Sequence, residues 1–218
     1  RLDNTRMLMA TGRSVSEARR VIATWGLPCP DILVTSVGSE IWRSEGFGDY
    51  RLCETYAATI NAGWRRDEVL SVAACVGLAM QPVHEQRRWK LSYFGSASDA
   101  ARATQALADS GVAARVVHSH GTLIDILPAR AGKAAAIAFE AKRLDLTLAD
   151  CIAAGDSGND LDMLAACGVA ILPANARDGI ADLLRGKAFQ SRHSHAAGVL
   201  DGLAAIYGPV DRMAVRHA

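Results

Sequence analysis

The chain has 218 residues, 50% of them hydrophobic, enough for one large domain or for a core carrying a smaller insert. Lys and Arg number 24 against 23 Asp and Glu, which excludes a general basic field for nucleic acid and an acidic tail. No apolar run approaches the roughly 18 residues that span a bilayer, and the first residues lack a signal-peptide layout. Five scattered cysteines (Cys29, Cys53, Cys75, Cys151, Cys167) form no CxxC pair and fit small buried hydrophobes of a reducing compartment, so a cytoplasmic protein is expected, with neither nucleic acid nor membrane as a partner.

In chain order, residues 6–10 (RMLMA) read as a short buried strand that ends at Thr11-Gly12-Arg13. Ser14 is a fitting N-cap for the helix that follows, with Glu17 as its capping-box partner and Gly26 as the stop. Residues 31–35 (DILVT) form another apolar strand, followed by SVGSEIW. The middle changes character: a helix from about Trp64, the strands LAMQP and RWKLSYFG, a helix ASDAARATQALADSG, and the strands ARVVHSH and LIDILPA. Lys90, Ser92 and Phe94 alternate with Leu91 and Tyr93, the pattern of an antiparallel sheet backed by helices. Residues 151–154 (CIAA), the loop GDSGND, the helix LDMLAACG and the strand VAIL make a βαβ unit and imply a parallel sheet. The expectation is an α/β protein with a doubly wound, Rossmann-like parallel-sheet core. Residues 1–60 and 127–218 would form this core and residues 61–126 an inserted smaller α/β domain. The last stretch, PVDRMAVRHA, reads as a loose tail, and Met7, Met9, Trp25 and Met163 as core packing.

Three motifs carry chemistry. In Gly155-Asp156-Ser157-Gly158-Asn159-Asp160, Asp156 follows the carboxyl end of a buried strand, where open α/β sheets place ligands, and Asp160 opens the next helix. Two converging carboxylates without a nearby cation in sequence invite a hard divalent cation such as Mg²⁺; an acidic N-cap explains one aspartate but not both with the glycines. Thr11-Gly12-Arg13 also stands at a strand end before a helix, where a hydroxyl and free N–H groups can hold phosphate oxygens, although an ordinary turn has the same composition. Lys133 opens an Ala-rich helix against the helix dipole, a position that an anion justifies and that a solvated surface lysine also occupies.

In this order the three motifs resemble those of the haloacid dehalogenase superfamily of phosphohydrolases. Together with PDILVTSVGSEIW, RWKLSYFG, VVHSHGTLIDILP and GDSGNDLDML they resemble its sucrose-phosphate phosphatase group, from Leu2 to about Tyr207. The resemblance implies a Mg²⁺-dependent hydrolase acting on a sugar phosphate, most closely sucrose 6-phosphate or a related disaccharide phosphate, through an aspartyl-phosphate. It also implies a cap formed by the insert and an association with a sugar-phosphate synthase. It matches Asp3 to the general acid/base and a metal-site acid, Thr11 and Lys133 to the phosphate-holding residues, Asp156 and Asp160 to the metal-site acids, and Asn159 to an orienting role. Gly12 and Arg13 accompany Thr11 around the phosphate. Glu40, Lys90 and His120 are the candidates near the sugar, although His118 and His120 also alternate as an ordinary open strand face does. Arg1 stands where the group has its nucleophilic aspartate, and only five residues separate Thr5 from Thr11, where a parallel crossover needs a dozen or more. Residues missing near the start are the expectation. The alternative is an inactive sugar-phosphate-binding domain that accompanies a glycosyltransferase.

Overall fold

The computed structural model describes residues 5–176, 179–184 and 186–208. The tail expected at 209–218, and Asp3 with its neighbours at 1–4, lie outside the described residues.

β1 (Leu8–Ala10) leads through α1 (Val15–Thr24) to a parallel partner, β2 (Ile32–Thr35). The expected capping box forms: the Glu17 N–H donates to the Ser14 hydroxyl, and the Ser14 N–H donates back to the Glu17 carboxylate at 3.0 Å. Antiparallel β3 (Glu40–Gly46) and β4 (Asp49–Leu52) extend this sheet, and α2 (Glu54–Asn61) follows. α3 (Arg66–Val76) and α4 (Ala97–Asp109) back a separate antiparallel sheet of β5 (Ala79–Met80), β6 (Leu91–Phe94), β7 (Ala114–Ser119) and β8 (Leu123–Pro128), in the order β5-β6-β8-β7. From β8 the chain enters α5 (Lys133–Arg143), then β9 (Ile152–Ala154), α6 (Leu161–Ala166), β10 (Val169–Leu172), α7 (Ile180–Leu183), β11 (Ala188–Gln190) and α8 (His195–Tyr207). β9, β10 and β11 are parallel, so the βαβ reading of 151–172 holds.

The core is covered on both faces, as alternation along β2 requires. Leu33 packs against Ala18 and Ile22 of α1, whereas Ile32 and Val34 pack with Tyr56 and Ile60 of α2 and Ala136 of α5. The C-terminal half has its own cluster, built from Ile137, Ala153, Met163, Leu164 and Leu172. Trp25 and Met7 depart from their expected core places: they are 75% and 41% exposed. Trp25 follows the last residue of α1 and so lies beyond that helix's buried stripe of Ala18 and Ile22.

Candidate active site

The carboxyl ends of β1 and β9 open onto a cleft of about 440 Å³, which is also lined by residues of the antiparallel sheet and its loops. Past β1, the Thr11 N–H donates to the Val34 carbonyl at 2.8 Å, and the Thr11 carbonyl accepts from Val37 N–H at 3.1 Å, which pins the turn. The Thr11 hydroxyl oxygen accepts from the Arg13 N–H at 3.2 Å, so its proton remains available to a ligand oxygen.

Lys133 reaches the same cleft from α5. Its place depends on the turn after β2, where Ser36, Val37 and Gly38 all have positive φ. A Cβ at Gly38 would stand 2.1 Å from the Gly132 carbonyl carbon and 2.4 Å from Lys133 N, so only glycine lets that turn abut the start of α5. Lys133 is 3% exposed, and its Nζ donates to Asp160 Oδ1 at 2.5 Å and to Asn159 Oδ1 at 3.0 Å. The second Asp160 oxygen accepts from the N–H groups of Asp156 and Ser157, each at 3.1 Å, and from the Ser157 hydroxyl at 3.2 Å. Asp160 is therefore the clasp of the loop and the counter-ion of Lys133.

Asp156 is differently placed. Oδ2 accepts from Asn175 Nδ2 at 2.7 Å, whereas Oδ1 takes no hydrogen bond among the described residues. The antiparallel sheet supplies Gln81, Glu85, Lys90, Ser119, His120, Leu123 and Asp125 to the opposite wall. Ser92 and Asp125 are register partners on β6 and β8, which sets their side chains on one face with Lys90. The Ser92 hydroxyl donates to Asp125 Oδ1 at 2.6 Å, and Lys90 Nζ lies 2.8 Å from Ser92 Oγ, 3.2 Å from Asp125 Oδ1 and 3.9 Å from Glu85 Oε2. This wall touches the Asp156 loop directly: a Cβ at Gly158 would come within 2.9 Å of the His118 carbonyl oxygen. Arg115 of β7 also pairs with Asp162 of α6 at 3.0 Å, and Asp162 accepts from the Ala134 N–H at 3.2 Å beside Lys133.

Of the residues singled out in the sequence, Thr11, Gly12, Arg13, Lys90, His120, Lys133, Asp156, Asn159 and Asp160 line this one cleft. Glu40 does not. It accepts from the Thr35 hydroxyl at 2.8 Å and from the Trp42 indole at 3.2 Å, as a buried cross-strand group. His118 also stands apart from the cleft, lining a second cavity of about 280 Å³ with Arg115 and Asp162. Sequence reasoning did not place Glu17, Gln81, Glu85 or Ser119 in this cleft, and it passed over Asn175, the partner of Asp156. Asn175 sits in PANAR, where only its place after a buried strand distinguishes it from any polar loop residue.

Among the described residues no three His, Cys, Asp or Glu side chains group as metal donors. A hard divalent cation needs fewer, because Mg²⁺ is held by one or two carboxylates with waters and substrate phosphate. Asp156 Oδ1 fits that requirement, and among the described residues the cleft sets the carboxylates Glu17, Glu85, Asp125, Asp156 and Asp160 against Arg13, Lys90 and Lys133. A phosphate monoester entering this excess of negative charge would be repelled unless a cation offset it. No helix among the described residues is long and apolar enough to cross a membrane.

A family profile described as sucrose-6F-phosphate phosphohydrolase matches residues 1–207. A probable sucrose-phosphatase 3a of Arabidopsis thaliana is 32% identical over 166 residues, 72% of this chain, which spans 39% of that protein's length. A mannosylfructose-phosphate phosphatase of Agrobacterium fabrum is 28% identical over 207 residues, 90% of this chain and 81% of its own. The X-ray structure of the sucrose-phosphatase of Synechocystis sp., in complex with sucrose and phosphate, has a TM-score of 0.83 at 28% identity over 91% of this chain and 83% of that one. A profile spanning both sides of the cleft, and a fold shared over nine tenths of the chain, establish that the protein belongs to the sucrose-6F-phosphate phosphohydrolase family.

Proposed function

We propose that this chain is a Mg²⁺-dependent phosphatase of sugar phosphates, with sucrose 6-phosphate or a related disaccharide phosphate as substrate. The observation that carries the reading is convergence. Thr11, Lys133 and Asp156, from three separate segments, meet in one cleft under a wall of sugar-compatible polar groups. Residues 61–126 act as the cap that supplies this wall, and residues 1–60 and 127–218 supply the phosphate side. The Thr11 hydroxyl and the Lys133 ammonium hold phosphoryl oxygens, with Gly12 and Arg13 presenting backbone and charge beside them. Asp156 holds the cation, and Asp160 keeps Lys133 and the loop in place. When bound, Mg²⁺ neutralises phosphoryl charge and orients the group for in-line attack. Asp3 is the proposed acid/base. As the phosphoryl group passes from the sugar oxygen to a nucleophilic carboxylate, Asp3 protonates that oxygen, and it then takes a proton from the water that hydrolyses the aspartyl-phosphate to free phosphate. The aspartyl-phosphate route calls for a carboxylate where Arg1 stands, and none of the cleft carboxylates is assigned that step. Lys90, His120 and Asn159, with Gln81, Glu85 and Asp125, offer a sugar both donors and acceptors.

The test is phosphate release from sucrose 6-phosphate with Mg²⁺ present, compared with glucose 6-phosphate by kcat/KM. Release that is abolished in Asp156→Asn while the fold is retained is the expected result. Sugar-phosphate binding without any release would refute hydrolysis and leave a binding domain. Equal kcat/KM for the two sugars would refute the disaccharide preference alone.

A further inference from the structure

Asp156 is held by a neutral partner, while its neighbour Asp160 is held by a cation. Asn175 Nδ2 donates to Asp156 Oδ2 at 2.7 Å, and Asn175 Oδ1 accepts from the His195 N–H at 2.6 Å. The amide can adopt only this orientation, because a backbone N–H requires the amide oxygen and a carboxylate requires the amide nitrogen. Ser194, which precedes α8, makes no side-chain cap, so Asn175 satisfies the first N–H of that helix from outside. The surrounding loop is fixed by two backbone bonds, Ala174 N–H to the His193 carbonyl at 2.8 Å and Ser191 N–H to the Leu172 carbonyl at 2.9 Å. Asn175 is thus braced on one side and points a donor at one oxygen of Asp156 on the other.

We infer that Asn175 is a positioning residue, which fixes the Asp156 carboxylate so that Oδ1 is presented to a divalent cation. The inference rests on the reading of the cleft as a Mg²⁺ site. A neutral amide suits the task. It restricts the rotation of the carboxylate without bringing a positive charge that would oppose the metal, as the ammonium of Lys133 does at Asp160. Hydrogen-bonded partners of metal ligands contribute affinity in this way, and their loss weakens binding about ten- to a hundredfold.

The test is calorimetric titration of Mg²⁺ alone into the full chain and into Asn175→Ala, with thermal unfolding of both in the absence of metal. The expected result is a Mg²⁺ affinity about ten- to a hundredfold weaker in the variant. Asn175→Ser keeps a polar atom on the Cβ, one bond short of both Asp156 and the His195 N–H. It should show the same loss and serves if the Ala variant folds poorly. A wild type that binds Mg²⁺ beside a folded variant that binds it equally well, with only the unfolding midpoint lowered, would reduce Asn175 to a helix cap and overturn the inference alone. A wild type that takes up no Mg²⁺ at millimolar concentration would overturn the cation reading and the inference together.

Discussion

Replacing Lys133 by Met removes a buried charge while nearly preserving volume, and it leaves Asp160, only 6% exposed, without its ammonium partner. Breaking a buried ion pair from one side costs about 3–5 kcal/mol because the remaining charge is uncompensated. Two features of this site bring the figure down. Asp160 Oδ2 keeps three donors, from Asp156 N, Ser157 N and Ser157 Oγ. A cation at the first position of α5 also opposes the helix dipole, and its removal returns about 0.3–1 kcal/mol. The expected net loss is about 2–3 kcal/mol, or about 5–10 °C in unfolding midpoint for a chain of this size. Urea unfolding followed by circular dichroism measures it, in a cycle with Asp160→Asn and the double variant. Removing both charges should restore most of the loss, with a coupling energy of about 1–3 kcal/mol. A single-variant loss below about 0.5 kcal/mol, or a strictly additive cycle, would refute the clasp as a source of stability.

Gly158→Ala should cost about 1–3 kcal/mol, because its Cβ would meet the His118 carbonyl oxygen, which is backbone and cannot swing aside. Gly12→Ala, whose Cβ would lie 3.7 Å from its nearest neighbours, should unfold within about 0.5 kcal/mol of wild type by urea titration. Native-state thiol titration should modify the exposed Cys29 and Cys75 first. Cys167, buried and with its thiol pushed up to about 11, should react only on unfolding, and early labelling of all five would contradict the burial. The Ser14 hydroxyl and N–H hold the Glu17 carboxyl below its ordinary range. Their stabilisation is therefore full above the unfolded value near 4.5 and is lost as pH falls through the lower folded value. Ser14→Ala should cost about 1 kcal/mol at pH 7 and progressively less toward pH 3; a pH-independent difference would rule the linkage out.

Much of this architecture is written locally. Ser14 and Glu17 announce α1, the apolar runs at 31–35 and 169–172 announce buried strands, and the two-residue alternation around Lys90 announces the antiparallel sheet. The side of the cleft proposed to hold phosphate is legible for the same reason, since a turn at the end of a parallel strand faces the ligand in any such sheet. Long-range pairing was not legible. Lys133 and Asp160 are 27 residues apart, and nothing in either segment shows that the lysine employs both the aspartate and Asn159. Glu40 fell on the wrong side because the register of β2 on β3 sets it against Thr35, and register follows from packing. Asn175 escaped because its partner is a carboxylate 19 residues earlier, reached only once β9 and β10 lie side by side.

The core contains, among the described residues, two hydrogen-bonded sheets. Among the described residues β1 pairs only with β2, and β9 only with β10. No backbone hydrogen bond of a sheet joins the halves among the described residues; they meet through side chains and one bond outside the sheets: Leu8 and Ala10 touch both apolar clusters, α5 gives Ala136 to one and Ile137 to the other, and the Gly132 N–H donates to the Gly38 carbonyl at 3.3 Å. Opening of one sheet therefore need not break a strand pairing of the other. Amide hydrogen exchange should resolve two cooperative units, one around β2 and β3 and one around β10, with the α5 amides as slow as the slower of them. On the proposed reading, a sugar phosphate held by Thr11 on the first unit and by Lys133, which Asp160 ties to the second, would then act as a rivet that merges the two exchange classes into one.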